Sequence, residues 1–193
     1  MLRKSMSPQW MFRPMFLRKI VLLPFAAALL LGTTAFATAS DHERRFFEQI
    51  EGGWTGPGEI VAGKYKGTKF VCNFAGATPE DRVGMSLDGG CRVGVFNQDM
   101  SARVERSKSG FSGTFQDGAS GKGLDVIGGS VKGQSAVFAI HRKALTGAMR
   151  AQLSDKNTMN VTISVHVDED LVPVIGMTLK RVDAKTVSAL TGE

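Results

Sequence analysis

Residues 161–167 read Val-Thr-Ile-Ser-Val-His-Val, the most regular alternation of apolar and polar side chains in the chain. Successive side chains of a β-strand point to opposite faces of the sheet, so this stretch predicts a strand with its four aliphatic side chains on one face. His166 belongs to the opposite face, and we expect it to point to solvent.

Similar runs lie upstream of this stretch, within residues 83–87, 91–95, 111–115 and 136–140. Turn signals rich in Gly, Asp and Asn separate the runs at intervals of about 8–12 residues, a spacing typical of antiparallel sandwiches and barrels. The sequence therefore predicts an all-β domain of about 9–11 strands over residues 40–193. Glycines within the strands, which permit sharp bending, favour a single up-and-down barrel over a sandwich.

A short helix is expected before the first strand. Ser40 or Asp41 can cap it, and Phe46, Phe47 and Ile50 are spaced to form one apolar face. The two glycines at 52 and 53 end it.

The first strand opens with Gly52-Gly-Trp-Thr-Gly-Pro-Gly58. This G-x-W pattern after a short helix resembles the calycin superfamily of lipocalin-like barrels, and the fuller G-x-W-x-G-x-G string is similar to that of the nitrobindins. The resemblance implies that Trp54, Gly56 and Gly58 help to close one end of the barrel. It also implies that a basic residue of the last strand, Lys180 or Arg181, covers the Trp54 ring, and Arg181 is our candidate.

The nitrobindin resemblance would imply haem, held by a histidine at the start of the last strand. The corresponding position falls near Val174, and the segment 172–181 contains no histidine. Met177 is its only soft ligand, and a strand methionine is far more often a packing residue. We therefore predict no cofactor.

Cys72 and Cys91 are the only two cysteines, and each lies in a strand-like run. In an oxidising compartment they predict a disulfide between neighbouring strands; the alternative is two reduced, buried thiols. No histidine or third cysteine lies near them in sequence, so a metal site is not expected.

The charge of the chain is concentrated at its N-terminus. The formal net charge is +6, but residues 1–39 hold five basic side chains and no acidic ones, which leaves 19 basic against 18 acidic in residues 40–193. Nucleic-acid binding is therefore not indicated.

The first 39 residues have the pattern of an export signal. A basic stretch, the apolar core 20–31 and small residues predict a cleaved signal peptide over residues 1–39, with cleavage near Ala37 or Ala39. A retained membrane helix is the alternative. We expect a soluble periplasmic or secreted protein.

No catalytic constellation is recognisable, so we do not predict an enzyme. An enzymatic function would require His141 to face the interior beside a carboxylate such as Asp125 or Glu105. The acidic run 168–170 could bind a hard cation or form a solvated turn. The lysines of residues 64–69, beside Tyr65, could contact phosphate groups or protect a sheet edge.

Two functions from different classes remain. The leading hypothesis is a barrel that binds a small apolar or amphipathic ligand, since barrels of eight to ten strands have room for one small molecule. The second is a filled, ligand-free barrel that serves as a structural or interaction module of the cell envelope. An outer-membrane barrel is disfavoured, because the strands are short and rich in glycine and charge.

Overall fold

A computed structural model describes residues 39–108, 110–116 and 124–183. The predicted signal peptide lies outside these residues, apart from Ala39. The elements, in chain order, are the helix α1 (Ala39–Ile50) and the strands β1 (Gly52–Ile60), β2 (Lys69–Ala77), β3 (Gly84–Val93), β4 (Phe96–Ser107), β5 (Gly110–Gln116), β6 (Leu124–Lys132), β7 (Ser135–Arg142), β8 (Leu145–Asp155), β9 (Thr158–Val167) and β10 (Asp170–Val182).

Each strand pairs antiparallel with its neighbours in sequence, and β10 returns to pair with β1. The sheet is thus a closed up-and-down barrel, which confirms the predicted fold class and the preference for a barrel over a sandwich. At the closing seam, Trp54 lies opposite Arg181 and Gly58 lies opposite Met177.

The two ends of the barrel differ. At the closed end, β1 begins, β10 ends and α1 packs, contacting β3 and β6. The predicted apolar face of the helix is buried through Phe46, Phe47 and Ile50. The open end carries the loop 61–68 and the turns between β3 and β4, β7 and β8, and β9 and β10.

Aromatic side chains fill the closed half of the interior. Phe47 from the helix packs edge-to-face against Phe111, and Phe111 packs in the same way against Phe138, with ring centroids 5.5 Å apart in both pairs. Such pairs each contribute about 0.5–1.5 kcal/mol beyond the burial of their area. The helix is therefore part of the core of the barrel.

Inward-facing side chains of β9 and β10 become more accessible toward the open end, whereas Phe115, Val126 and Ile140 on β5–β7 stay buried near that end. On β10, Leu179 is 2% exposed, whereas Met177 and Ile175, successively closer to the open end, are half-buried. On β9, Ile163 is buried and Val165 is half-buried. The interior is thus densely packed at one end and partly accessible at the other.

Candidate functional site

Trp54 lies at the closed end and is fully buried. Its indole Nε1 donates a hydrogen bond of 2.9 Å to the carbonyl oxygen of Ile50, the last residue of α1. A buried indole requires such an acceptor, because leaving its N–H unpaired would cost the desolvation energy of that group. The G-x-W motif therefore joins the first strand to the helix that precedes it.

Arg181 covers the Trp54 ring, with its guanidinium carbon 4.4 Å from the ring centroid. The same guanidinium donates hydrogen bonds to the carbonyl oxygens of Gln49 and Glu51, the latter at 2.6 Å, and to that of Lys156 at 3.0 Å. A cation is favourable where helix carbonyls are left without intrahelical donors. Arg181 thus connects β10, α1 and the β8–β9 hairpin at one point.

Lys180, the other residue that the sequence offered for covering Trp54, is exposed on the outer face. Its ammonium donates a hydrogen bond of 2.7 Å to the Thr158 hydroxyl.

The two motif glycines allow close packing beside Trp54. A Cβ atom at Gly56 would overlap the carbonyl oxygen of Thr178 on β10, and one at Gly58 would overlap the ring of Phe70. These glycines therefore bring the seam strands together and accommodate an aromatic side chain; they do not enlarge the interior.

The predicted disulfide is present. Cys72 and Cys91 face each other across β2 and β3, with their Cα atoms 4.0 Å apart. The Cys72 sulfur is buried and lies 4.0 Å from the sulfur of Met177 on β10. The bridge therefore belongs to the interior, at the level where the packed half meets the accessible half.

We call the accessible part of the interior the mouth. It consists of half-buried, inward-facing apolar side chains from five strands: Phe70, Met100, Met149, Val165, Ile175 and Met177. Arg142 shares the inward face of β7 with Phe138 and Ile140, and its Nε and Nη2 atoms are buried. The described part of the mouth thus has an apolar wall, with the Arg142 cation near its rim.

The histidines do not face the mouth. His166 is exposed, as predicted. His141 lies opposite Asp125 in the β6–β7 ladder, on the outer face that it shares with Val137. Glu105 is held outside by Arg82 at 3.2 Å. The arrangement that an interior His141 site would need is therefore not formed.

Hard-cation sites can be assessed only among the described residues. Within these residues, no group of three or more His, Cys, Asp or Glu side chains could hold a metal ion. The acidic run 168–170 forms an exposed turn between β9 and β10.

Sequence reasoning missed two features. Glu43, buried on α1, forms an ion pair with Arg106 of β4, which also lies over the Phe111 ring. The β3–β4 turn exposes Val95 and Phe96 at the open end. A Gly-Val-Phe sequence between two strands was a signal for the second feature, because hairpin turns normally carry polar residues.

No helix among the described residues is long and apolar enough to cross a bilayer. No family model matches the chain, and no curated protein shows significant similarity to it. The closed ten-stranded barrel is consistent with a calycin-like fold, while the closer nitrobindin resemblance has no support from these comparisons.

Proposed function

We propose that this protein is exported and binds a small apolar or amphipathic molecule in the mouth of its barrel. The observation that carries the proposal is the exposure gradient along the inward faces of β9 and β10. Side chains such as Leu179 and Ile163 are buried, whereas Met177 and Val165, one step nearer the open end, are half-buried and apolar. A wall of that kind gains free energy when a ligand removes it from water.

The chemistry of the mouth favours a flexible hydrocarbon. Three of its six side chains are methionines, which adapt to irregular shapes because they are unbranched and polarisable. Each buried methylene contributes about 0.8 kcal/mol before the costs of association are subtracted. Arg142 near the rim suits a ligand whose polar end is anionic.

A ligand-free structural module is the second candidate, and the packed closed half supports it. The Phe47–Phe111–Phe138 cluster fills that region without a ligand. Under this alternative the mouth would be only an imperfectly covered core, and apolar molecules would not bind there with saturable affinity.

Val165→Trp separates the two candidates, because it places an indole in the mouth. Val137→Trp is the matched control, since Val137 is 40% exposed on the outer wall. The probe is 11-(dansylamino)undecanoic acid, whose emission rises in apolar surroundings. We expect saturable binding to the wild type and to Val137→Trp, and at least a tenfold loss for Val165→Trp.

Equal binding to all three proteins, or none to the wild type, would contradict the proposal. Native mass spectrometry of protein recovered from its own host is the second measurement. It identifies the class of any bound ligand, because a bound molecule adds mass that disappears on unfolding. A haem mass would revive the nitrobindin interpretation.

A further inference from the structure

The most exposed large apolar side chains among the described residues lie together at the open end. Val95 is 87% exposed and Phe96 is 77% exposed, in a tight turn where Gly94 has a φ of 60°. Tyr65, 63% exposed, stands on the neighbouring β1–β2 loop. We define the tip as the loop 61–68 together with residues 93–96.

Neither folding nor turn geometry explains an exposed phenylalanine at this position. A two-residue hairpin turn favours Asn, Asp or Gly, and polar residues at 95 and 96 would serve the β3–β4 turn equally well. Clustered apolar side chains that remain in water mark interaction surfaces.

The charged side chains of the tip are all basic. Residues 61–76 and 89–98 contain Lys64, Lys66, Lys69 and Arg92, all exposed, and no acidic residue. The nearest carboxylate on β1, that of Glu59, lies opposite Lys69 in the ladder. Asp99, exposed on β4 opposite Gly90, is the next carboxylate on the β3–β4 hairpin, and the turn 168–170 carries three more. The tip itself thus carries basic side chains and no carboxylate of its own.

Closure of the barrel removes the edge-protection explanation for these lysines. β2 pairs with β1 on one side and with β3 on the other, so Lys69 does not lie on an open edge. Lys64 and Lys66 flank Tyr65, and the Lys64 ammonium lies 5.5 Å from the ring centroid of Tyr65. Aromatic and aliphatic side chains surrounded by lysines suit the boundary between lipid headgroups and acyl chains.

We propose that the tip docks the open end of the barrel onto an anionic lipid surface. Phe96 and Val95 enter the acyl boundary, while Lys64, Lys66 and Arg92 face the headgroups. The inference does not rest on ligand binding in the mouth, which is measured without vesicles.

Co-sedimentation with vesicles tests the charge requirement. The protein is used in the form its host accumulates, so residues 1–39 contribute equally to every comparison. We expect binding to vesicles of equal phosphatidylglycerol and phosphatidylcholine in low salt, and little binding to pure phosphatidylcholine. Because each cation near an anionic surface is worth about fivefold in affinity, Lys64→Gln with Lys66→Gln should weaken binding about 25-fold. The control, Lys132→Gln with Lys156→Gln, neutralises two exposed lysines at closed-end turns and should leave binding unchanged.

Residue 96 itself reports insertion. Phe96→Trp should show a blue-shifted emission that brominated lipids quench, whereas Ile127→Trp, at a position 56% exposed on the outer wall, should not. Trp54 is buried at the opposite end and contributes the same signal to both variants. Phe96→Ser should weaken vesicle binding about tenfold, as expected for loss of a buried phenyl group.

Equal quenching of the two tryptophan variants would overturn the proposal. An equal loss of vesicle binding in the double lysine variant of the tip and in its control would also overturn the proposal. If Phe96→Ser instead changed the oligomeric state in light scattering and left vesicle binding intact, the tip would be an interface between copies of the chain.

Discussion

Replacing Arg181 by Met tests the interpretation of the closed end most directly. The variant keeps an unbranched stem over Trp54 and removes the guanidinium. The guanidinium carbon of Arg181 lies 4.4 Å from the centroid of the Trp54 ring, and a cation–π contact with a buried indole contributes about 1 kcal/mol. The three hydrogen bonds to the carbonyls of Gln49, Glu51 and Lys156 contribute about 0.7 kcal/mol each, because Arg181 is only half-buried and water can replace the donor. We therefore expect the free energy of unfolding to fall by about 3 kcal/mol.

Urea denaturation followed by the emission of Trp54 measures this loss. Trp54 is the only tryptophan outside the first 39 residues, so its emission reports the environment that Arg181 covers. With a slope of about 2 kcal/mol per molar urea, the midpoint should fall by about 1.5 M.

The matched control is Lys180→Met, one residue away. Lys180 makes one hydrogen bond, to Thr158, and the change should cost less than about 1 kcal/mol. Equal midpoint shifts for the two variants would refute the assignment of Arg181 as the closing residue. A loss below about 0.5 kcal/mol for Arg181→Met would refute the energetic reasoning as well.

Three further predictions concern the disulfide, the ion pair between Glu43 and Arg106, and the carboxylate of Asp155. Cys72→Ser combined with Cys91→Ser should lower the free energy of unfolding by about 3 kcal/mol, the value for closing a loop of this order, and reductant should then lower the urea midpoint of the wild type but not that of the variant. Arg106→Met leaves the buried carboxylate of Glu43 without its cation and should cost about 2 kcal/mol in thermal denaturation, whereas adding Glu43→Gln to that variant should recover part of the loss. A backbone hydrogen bond from residue 157 and one from the Thr158 hydroxyl hold the pKa of Asp155 below its usual value. The stabilising contribution of Asp155 is therefore present above its unfolded pKa and is lost as the pH falls through the folded pKa. An NMR titration should place the Asp155 midpoint below 3.8, and a midpoint at or above that value would contradict the interpretation.

Local periodicity predicted the strands well because burial on one face imposes a period of two. The alternation over 161–167 placed His166 outside correctly. The same period could have distinguished Arg181 from Lys180, since the buried Leu179 shares its face with Arg181. The disulfide was predictable because the chain offers a single pair of cysteines.

Contacts between residues far apart in sequence could not be predicted in this way. Glu43 and Arg106 are separated by 63 residues, and their pairing depends on how α1 crosses the closed end. The exposure gradient of the mouth is also invisible in sequence, because Met177 and Leu179 are both apolar residues on the same strand face. Only the closed geometry shows which of them is near the opening.

The seam between β1 and β10 has a consequence for how the chain folds. The pairing of Trp54 with Arg181 joins residues near the two ends of the sheet, so the barrel cannot close until the last strand is available. Until then β1 presents an unpaired edge, which can associate with other chains. The Cys72–Cys91 hairpin needs a loop of only 19 residues and can form early, whereas the seam carries the largest loop-closure entropy. We therefore expect closure of the seam to limit the folding rate, and chains truncated before β10 to aggregate.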